Sequence, residues 1–171
     1  TIARGKHIAT IRGCVDCHTG NLAGGKFLDV PLLGTVYAAN LTRGTNGAAS
    51  FFTDADWDRA IRHGVKPDGT PLLIMPAQEY NGLSDEDLGA VVAYLRSLPP
   101  VNTRLQQNTV GPLGRLLELT GKAILIPADH IDHTAKRKPA PPVGPTAEYG
   151  AYLATSCTGC HGEELTGGPI P

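Results

Sequence analysis

The chain has 171 residues and a formal net charge of -1 at neutral pH. That length holds one ordinary domain or two small ones. A charge so close to balance announces no polyanionic partner, so nucleic acid is not expected. Aromatic residues make up only 5% of the chain, whereas glycine (21) and proline (14) are plentiful. This composition describes a loop-rich molecule short of core-building rings, which a bound apolar group would help to hold together. No run of about 20 apolar residues is present, so nothing here is expected to span a bilayer. The sequence opens at Thr1 rather than Met, and an N-terminal segment is expected upstream of it.

Residues 2–12 read as a short helix, with Ile2, His7, Ile8 and Ile11 on one face and Arg4, Lys6 and Arg12 outside. Gly13 then lets the chain turn. Next comes Cys14-Val15-Asp16-Cys17-His18, a C-x-x-C-H stretch, and it returns as Cys157-Thr158-Gly159-Cys160-His161. C-x-x-C-H is the attachment signature of c-type haem. Two thiols three positions apart can reach the two vinyl groups of one porphyrin, and the adjacent His supplies an axial nitrogen. The two copies use all four cysteines of the chain. A zinc ribbon would place its C-x-x-C pairs about 15–20 residues apart, and a thioredoxin-like centre wants a βαβ context. Structural disulfides are the remaining alternative. Two covalent c-type haems, each with its iron, are the preferred reading. His7 reads as an exposed or capping residue rather than a ligand.

Residues 19–50 are rich in glycine and short of periodic pattern, and read as loop wrapped around a cofactor. Pro31 is read either as a buttress for the His18 ring through its carbonyl or as a plain turn proline. Thr53-Asp54-Ala55-Asp56 caps a helix running to about His63, with Gly64 as its stop. Trp57, Ala60 and Ile61 form its apolar stripe. Core packing is preferred for Trp57 over a bond to a haem propionate, and a helix-dipole role for His63 over metal ligation. Met75, in Leu72-Leu73-Ile74-Met75-Pro76, is the only methionine in the chain. An electron-carrying haem needs a sixth ligand, and a soft thioether raises its potential, so Met75 is assigned as the distal ligand opposite His18. Ser84 and the three acids after it start a helix whose face is Leu88, Val91, Val92, Leu95 and Leu98, ended by Pro99-Pro100. It is expected to pack across the first helix.

Prolines recur through residues 101–145, which reads as a linker. Within it, residues 113–126 are amphipathic and are expected to dock on the chain's own first domain. His130 and His133 read as part of a polar strap rather than a metal site. From about residue 149 the chain repeats itself: Gly5 to Thr10 matches Gly150 to Thr155, and Leu22-Ala23-Gly24-Gly25 matches Leu165-Thr166-Gly167-Gly168. Two copies of one unit mean two similar domains, 1–100 and 146–171 around the linker 101–145. The second is too short to enclose a porphyrin, so the chain is expected to continue beyond Pro171, or the remainder to be disordered or supplied elsewhere.

With these motifs in place, the chain resembles a di-haem class I cytochrome c. Leu83-Ser84-Asp85-Glu86-Asp87-Leu88 and Tyr94-Leu95-Arg96-Ser97-Leu98-Pro99-Pro100 are similar to cytochrome subunits of membrane-bound alcohol and sugar-acid dehydrogenases and related membrane-associated di-haem cytochromes. The resemblance implies a mostly α fold of tandem haem domains, with iron ligation by His18 and Met75 in the first and His161 in the second. It implies a place on the periplasmic face of the bacterial inner membrane, with a membrane anchor upstream of Thr1. The expected role is electron relay between redox protein partners within a membrane-bound complex, rather than catalysis. The alternative is a haem enzyme of peroxidase or sulfur-oxyanion type, using an open second haem.

Overall fold

The computed structural model describes residues 1–162 and 164–167. In chain order the elements are helices α1 (Ile2–Ile11) and α2 (Cys14–His18), strands β1 (Gly25–Val30) and β2 (Gly34–Ala38), and helices α3 (Asp54–His63), α4 (Ala77–Tyr80) and α5 (Asp85–Ser97). Strand β3 (Thr109–Val110) and helices α6 (Pro112–Leu119), α7 (Ala147–Ala154) and α8 (Thr158–His161) follow. The molecule is mostly helical with one small sheet. It divides into two compact units: Thr1–Asp54 with Gly89–Ala123, and Ala55–Leu88 with the described residues from Ile124 onward.

In the first unit, α1 meets α5 at Gly5, where an added methyl would run into the Ala90 carbonyl and the Tyr94 side chain. Only glycine allows backbones this close. The buried face of α1 is therefore Gly5, Ile8 and Ala9, continued by Arg12 just past its end. That corrects the sequence reading: Ile2 and Ile11 are 52% and 41% exposed, while Arg12, assigned to the outside, is 5% exposed. The contact is set by the smallest residue on the helix rather than the most apolar ones. On α5 the expected Leu88, Val91, Val92 and Leu95 are buried.

Residues 19–50 are not all loop. β1 and β2 form an antiparallel hairpin from Gly25↔Ala38 to Val30↔Gly34, with a bulge between Lys26 and Leu28. The alternation expected of a strand is missing because neither face of β1 is core: Phe27 is 45% and Val30 37% exposed. β3 adds to the other edge of β2 through Gly34↔Val110 and Thr35↔Thr109. Residues 101–123 are thus held to this unit. Asn40 Nδ2 donates to the Val101 carbonyl at 2.7 Å, and the Asn102 and Asn108 side chains accept from the Thr45 and Tyr37 amides, each at 2.8 Å. The amphipathic stretch is helical only as α6, closing at Gly121 (φ 67°), and its Leu113, Leu116 and Leu119 are exposed.

The second unit is built on α3. Trp57 is 2% exposed and serves as core. Gly64 takes φ 65° and ends the helix as expected. Arg62 carries an unanticipated role: 2% exposed, it pairs with Asp58 (2.7 Å) and Asp85 (2.8 Å) and donates to the Leu83 carbonyl. These partners offset the desolvation of its charge. Helix α7 is capped by Thr146, whose hydroxyl accepts from the Tyr149 amide at 3.2 Å. Its Tyr152 hydroxyl donates to Asp87 Oδ2 at 2.7 Å and accepts from the Ser84 amide at 3.2 Å.

Candidate haem-attachment sites

Gly13 (φ 73°) turns the chain out of α1 and directly into α2, so that Cys14, Cys17 and His18 share a single short helix. The two thiols are not joined in a disulfide, which sets that alternative aside for Cys14 and Cys17. Burial, above all, pushes the Cys14 thiol up to about 11. Cys17 is raised as well, by burial and then by Asp16. Both are therefore held as neutral thiols at neutral pH. Burial lowers the His18 ring, which favours the uncharged imidazole a metal needs.

His18 Nδ1 lies 2.8 Å from the Ala39 carbonyl. A carbonyl can only accept, so Nδ1 carries the proton and Nε2 presents its lone pair. The buttress is Ala39, not Pro31 as one sequence reading had it. Pro31 belongs to the turn between β1 and β2. Gly24 makes the buttress reachable. It takes φ 74°, its amide donates to the His18 carbonyl at 3.0 Å, and a methyl there would meet the carbonyls of Ala38 and Ala39. Sequence reading had Gly24 only as part of a repeat. The signal for its role was that same repeated Leu-x-Gly, and the carbonyl of Ala39 left none.

The second motif follows the first closely. His18 is followed by Thr19 at φ 70°, Leu22 at φ 58° and Gly24 at φ 74°. His161 is followed by Gly162 at φ 76°, Leu165 at φ 55° and Gly167 at φ 82°. Leu22 donates to the Thr19 carbonyl (2.9 Å) and Leu165 to that of Gly162 (3.0 Å). Gly24 donates to His18 (3.0 Å) and Gly167 to His161 (2.8 Å). Gly168, the last residue of the sequence repeat, lies outside the described residues, as does Pro171. Cys157 and Cys160 are also free of disulfides, and both are exposed. Gly159, between them, is covered by the Glu79 side chain of α4.

Met75 is half-buried and stands in the second unit, on two consecutive three-residue turns. Its amide donates to the Leu73 carbonyl at 2.8 Å around Ile74 (φ 65°), and Ala77 donates back to Met75 at 2.7 Å around Pro76 (φ -77°, ψ 62°). The second is the common inverse γ-turn. The first puts a β-branched residue where L side chains are strained, at a cost of about 1–3 kcal/mol. Ile74 in turn donates to the Leu125 carbonyl at 2.9 Å, which holds the turn in place. No cluster of three or more metal-ligating side chains occurs among the described residues.

The donors on α2 fit a c-type haem: paired neutral thiols and an imidazole with Nε2 presented. Residues 2–99 match the cytochrome c family model. The chain belongs to the cytochrome c family. Membership implies covalently attached haem c. This cytochrome is 31% identical to the cytochrome c subunit of the quinone alcohol dehydrogenase of Gluconacetobacter polyoxogenes, over 94% of this chain and 35% of that protein. It is 35% identical to the fructose dehydrogenase cytochrome subunit of Gluconobacter japonicus over 56% of this chain and 21% of that protein. A diheme c-type cytochrome of Cereibacter sphaeroides is 29% identical over 57% of this chain and 36% of that protein. The chain spans about a third of the length of the alcohol dehydrogenase subunit it matches.

Proposed function

We propose that this cytochrome carries two covalent haems and passes single electrons between redox proteins as a subunit of a larger dehydrogenase complex. The observation that carries the two-haem reading is the pair of hydrogen bonds and the three positive-φ positions that His18–Gly24 shares with the described residues of 161–167. Positive φ at three matched positions is costly, and its recurrence after both C-x-x-C-H motifs supports one shared task. In this reading residues 1–100 hold the first haem, 146–171 begin the second haem domain, and 101–145 join them.

When bound, haem supplies a one-electron iron couple whose potential depends on its ligands and surroundings. Cys14 and Cys17 would form the thioethers of the first haem, and Cys157 and Cys160 those of the second. His18 would offer Nε2 to the iron while the Ala39 carbonyl fixes the ring tautomer. Met75 would supply a thioether to the first iron, and His161 an imidazole to the second. Relatives named as dehydrogenase subunits support a role as an electron relay rather than a catalyst. They also support a location on the outer side of the bacterial inner membrane. Among the described residues no helix is long and apolar enough to cross a membrane.

Substituting Met75→Ala tests the ligand assignment. The variant is expected to bind carbon monoxide in its reduced form at the first centre, and its potential to fall by on the order of 100 mV. An unchanged potential and no carbon monoxide binding would refute the role given to Met75.

A further inference from the structure

Residues 124–137 form a strap across the second unit, tied down at both ends and in the middle. At one end the Leu125 carbonyl accepts from Ile74, the strained residue preceding Met75. In the middle, Pro127 and Ala128 are buried, and Ala128 packs on Gly64 at the end of α3. At the other end Arg137 Nη2 reaches Asp58 at 3.3 Å and His63 Nε2 at 2.8 Å. His63 Nδ1 faces His133 Nδ1 at 2.8 Å, and His133 Nε2 lies 3.0 Å from the Ala128 carbonyl.

The donors and acceptors in this chain admit one assignment. Arg137 can only donate, so His63 Nε2 accepts and the His63 proton is on Nδ1. Nδ1 then donates to His133 Nδ1, which leaves the His133 proton on Nε2, donating to Ala128. Both rings must be neutral. A proton added to either ring leaves N–H facing N–H at the pair, or N–H facing the guanidinium. The groups around the pair are Asp58, Arg62 and Arg137 about His63, and Asp132 beside His133. The carboxylate of Asp58 is shared with Arg62 and Arg137, and it lies 3.9 Å from His63 Nε2. It is thus already committed to two cations.

We propose that His133 and Arg137 are positioning residues for the Met75 turn: with His63 and Asp58 they latch the strap onto α3, and proton uptake by His63 opens the latch and loosens the turn. Burial, above all, lowers His63 below its ordinary value of 6.5. A base depressed in the folded state takes up protons more readily once released. The stability it contributes is therefore complete above the ordinary histidine value and is lost as pH falls through and below it. The latch is closed at neutral pH and opens in mild acid. Its consequence at the iron rests on Met75 being the axial ligand, whereas the latch itself does not.

The test is amide exchange at Ile74 in the haem-loaded protein, followed from about pH 8 to about pH 5 and corrected for intrinsic exchange. Wild type is expected to lose about tenfold in protection at Ile74 over that range. H133F is expected to show the low value throughout, without the pH dependence. R137Q serves the same end should H133F fail to fold. Constant protection in wild type, or a variant that keeps the wild-type profile, overturns the proposal. The methionine-to-iron charge-transfer band of the oxidised protein is read in parallel and should weaken as Ile74 loses protection. If the band holds steady while protection falls, the link to Met75 is overturned. Absence of the band at every pH contradicts the axial assignment of Met75, and the exchange data still decide the latch.

Discussion

His18–Gly24 and the described residues of 161–167 share left-handed positions and the same two hydrogen bonds after the histidine, yet they are held in different ways. The first has half-buried cysteines, a ring fixed by Ala39, and a glycine whose missing side chain makes room for that carbonyl. The second has exposed cysteines, and nothing among the described residues lies within 4 Å of where a methyl on Gly167 would go. The helix entering the first motif is placed by Gly5 against α5. The helix entering the second is placed by Tyr152, through Asp87 and Ser84. What the two share is therefore local: the turn that follows the histidine. What differs is the support around it, and that support comes from residues far away in sequence.

The largest effect should come from removing the thiols. Changing Cys14 and Cys17 together to serine is expected to remove one haem per chain and leave the second, as counted by intact mass. The reciprocal change at Cys157 and Cys160 should do the converse. Loss of both haems from either pair would mean that the two motifs do not act separately.

Alanine at the matched glycines should separate the two supports. Gly24→Ala combines the left-handed backbone cost with a collision against Ala38 and Ala39, and should destabilise by about 2–4 kcal/mol in denaturant unfolding. Gly167→Ala meets only the backbone cost, about 1–2 kcal/mol. Equal losses would show that the Ala39 approach does not matter. A smaller contrast is expected at the matched helix positions. Tyr152→Phe leaves a buried Asp87 without its phenol donor and should cost about 1–3 kcal/mol. At the exposed His7, its counterpart in the repeat, His7→Phe should change stability by no more than about 0.5 kcal/mol.

The local half of this account was legible in the sequence. Helices α1, α3 and α5, Gly13 and Gly64 as turning points, and both C-x-x-C-H motifs follow from capping, periodicity and spacing, which act over a few residues. Four features were not legible. The Ala39 buttress is a backbone carbonyl, and any residue has one. The β1–β2 hairpin carries no alternation, because Phe27 and Val30 are exposed. The burial of Arg62 and Arg12 depends on partners supplied by the folded chain, where a sequence pattern assigns a charge to the surface. The imidazole pair was missed for the same reason: His63 and His133 are 70 residues apart and meet only in the fold.

The central claim is that both motifs carry haem, and intact mass after maturation in a host with a haem-attachment pathway tests it most directly. The account predicts a chain heavier by two haems, with no cysteine left to alkylate. A chain carrying a single haem, with Cys157 and Cys160 still alkylated by a thiol reagent, would contradict it.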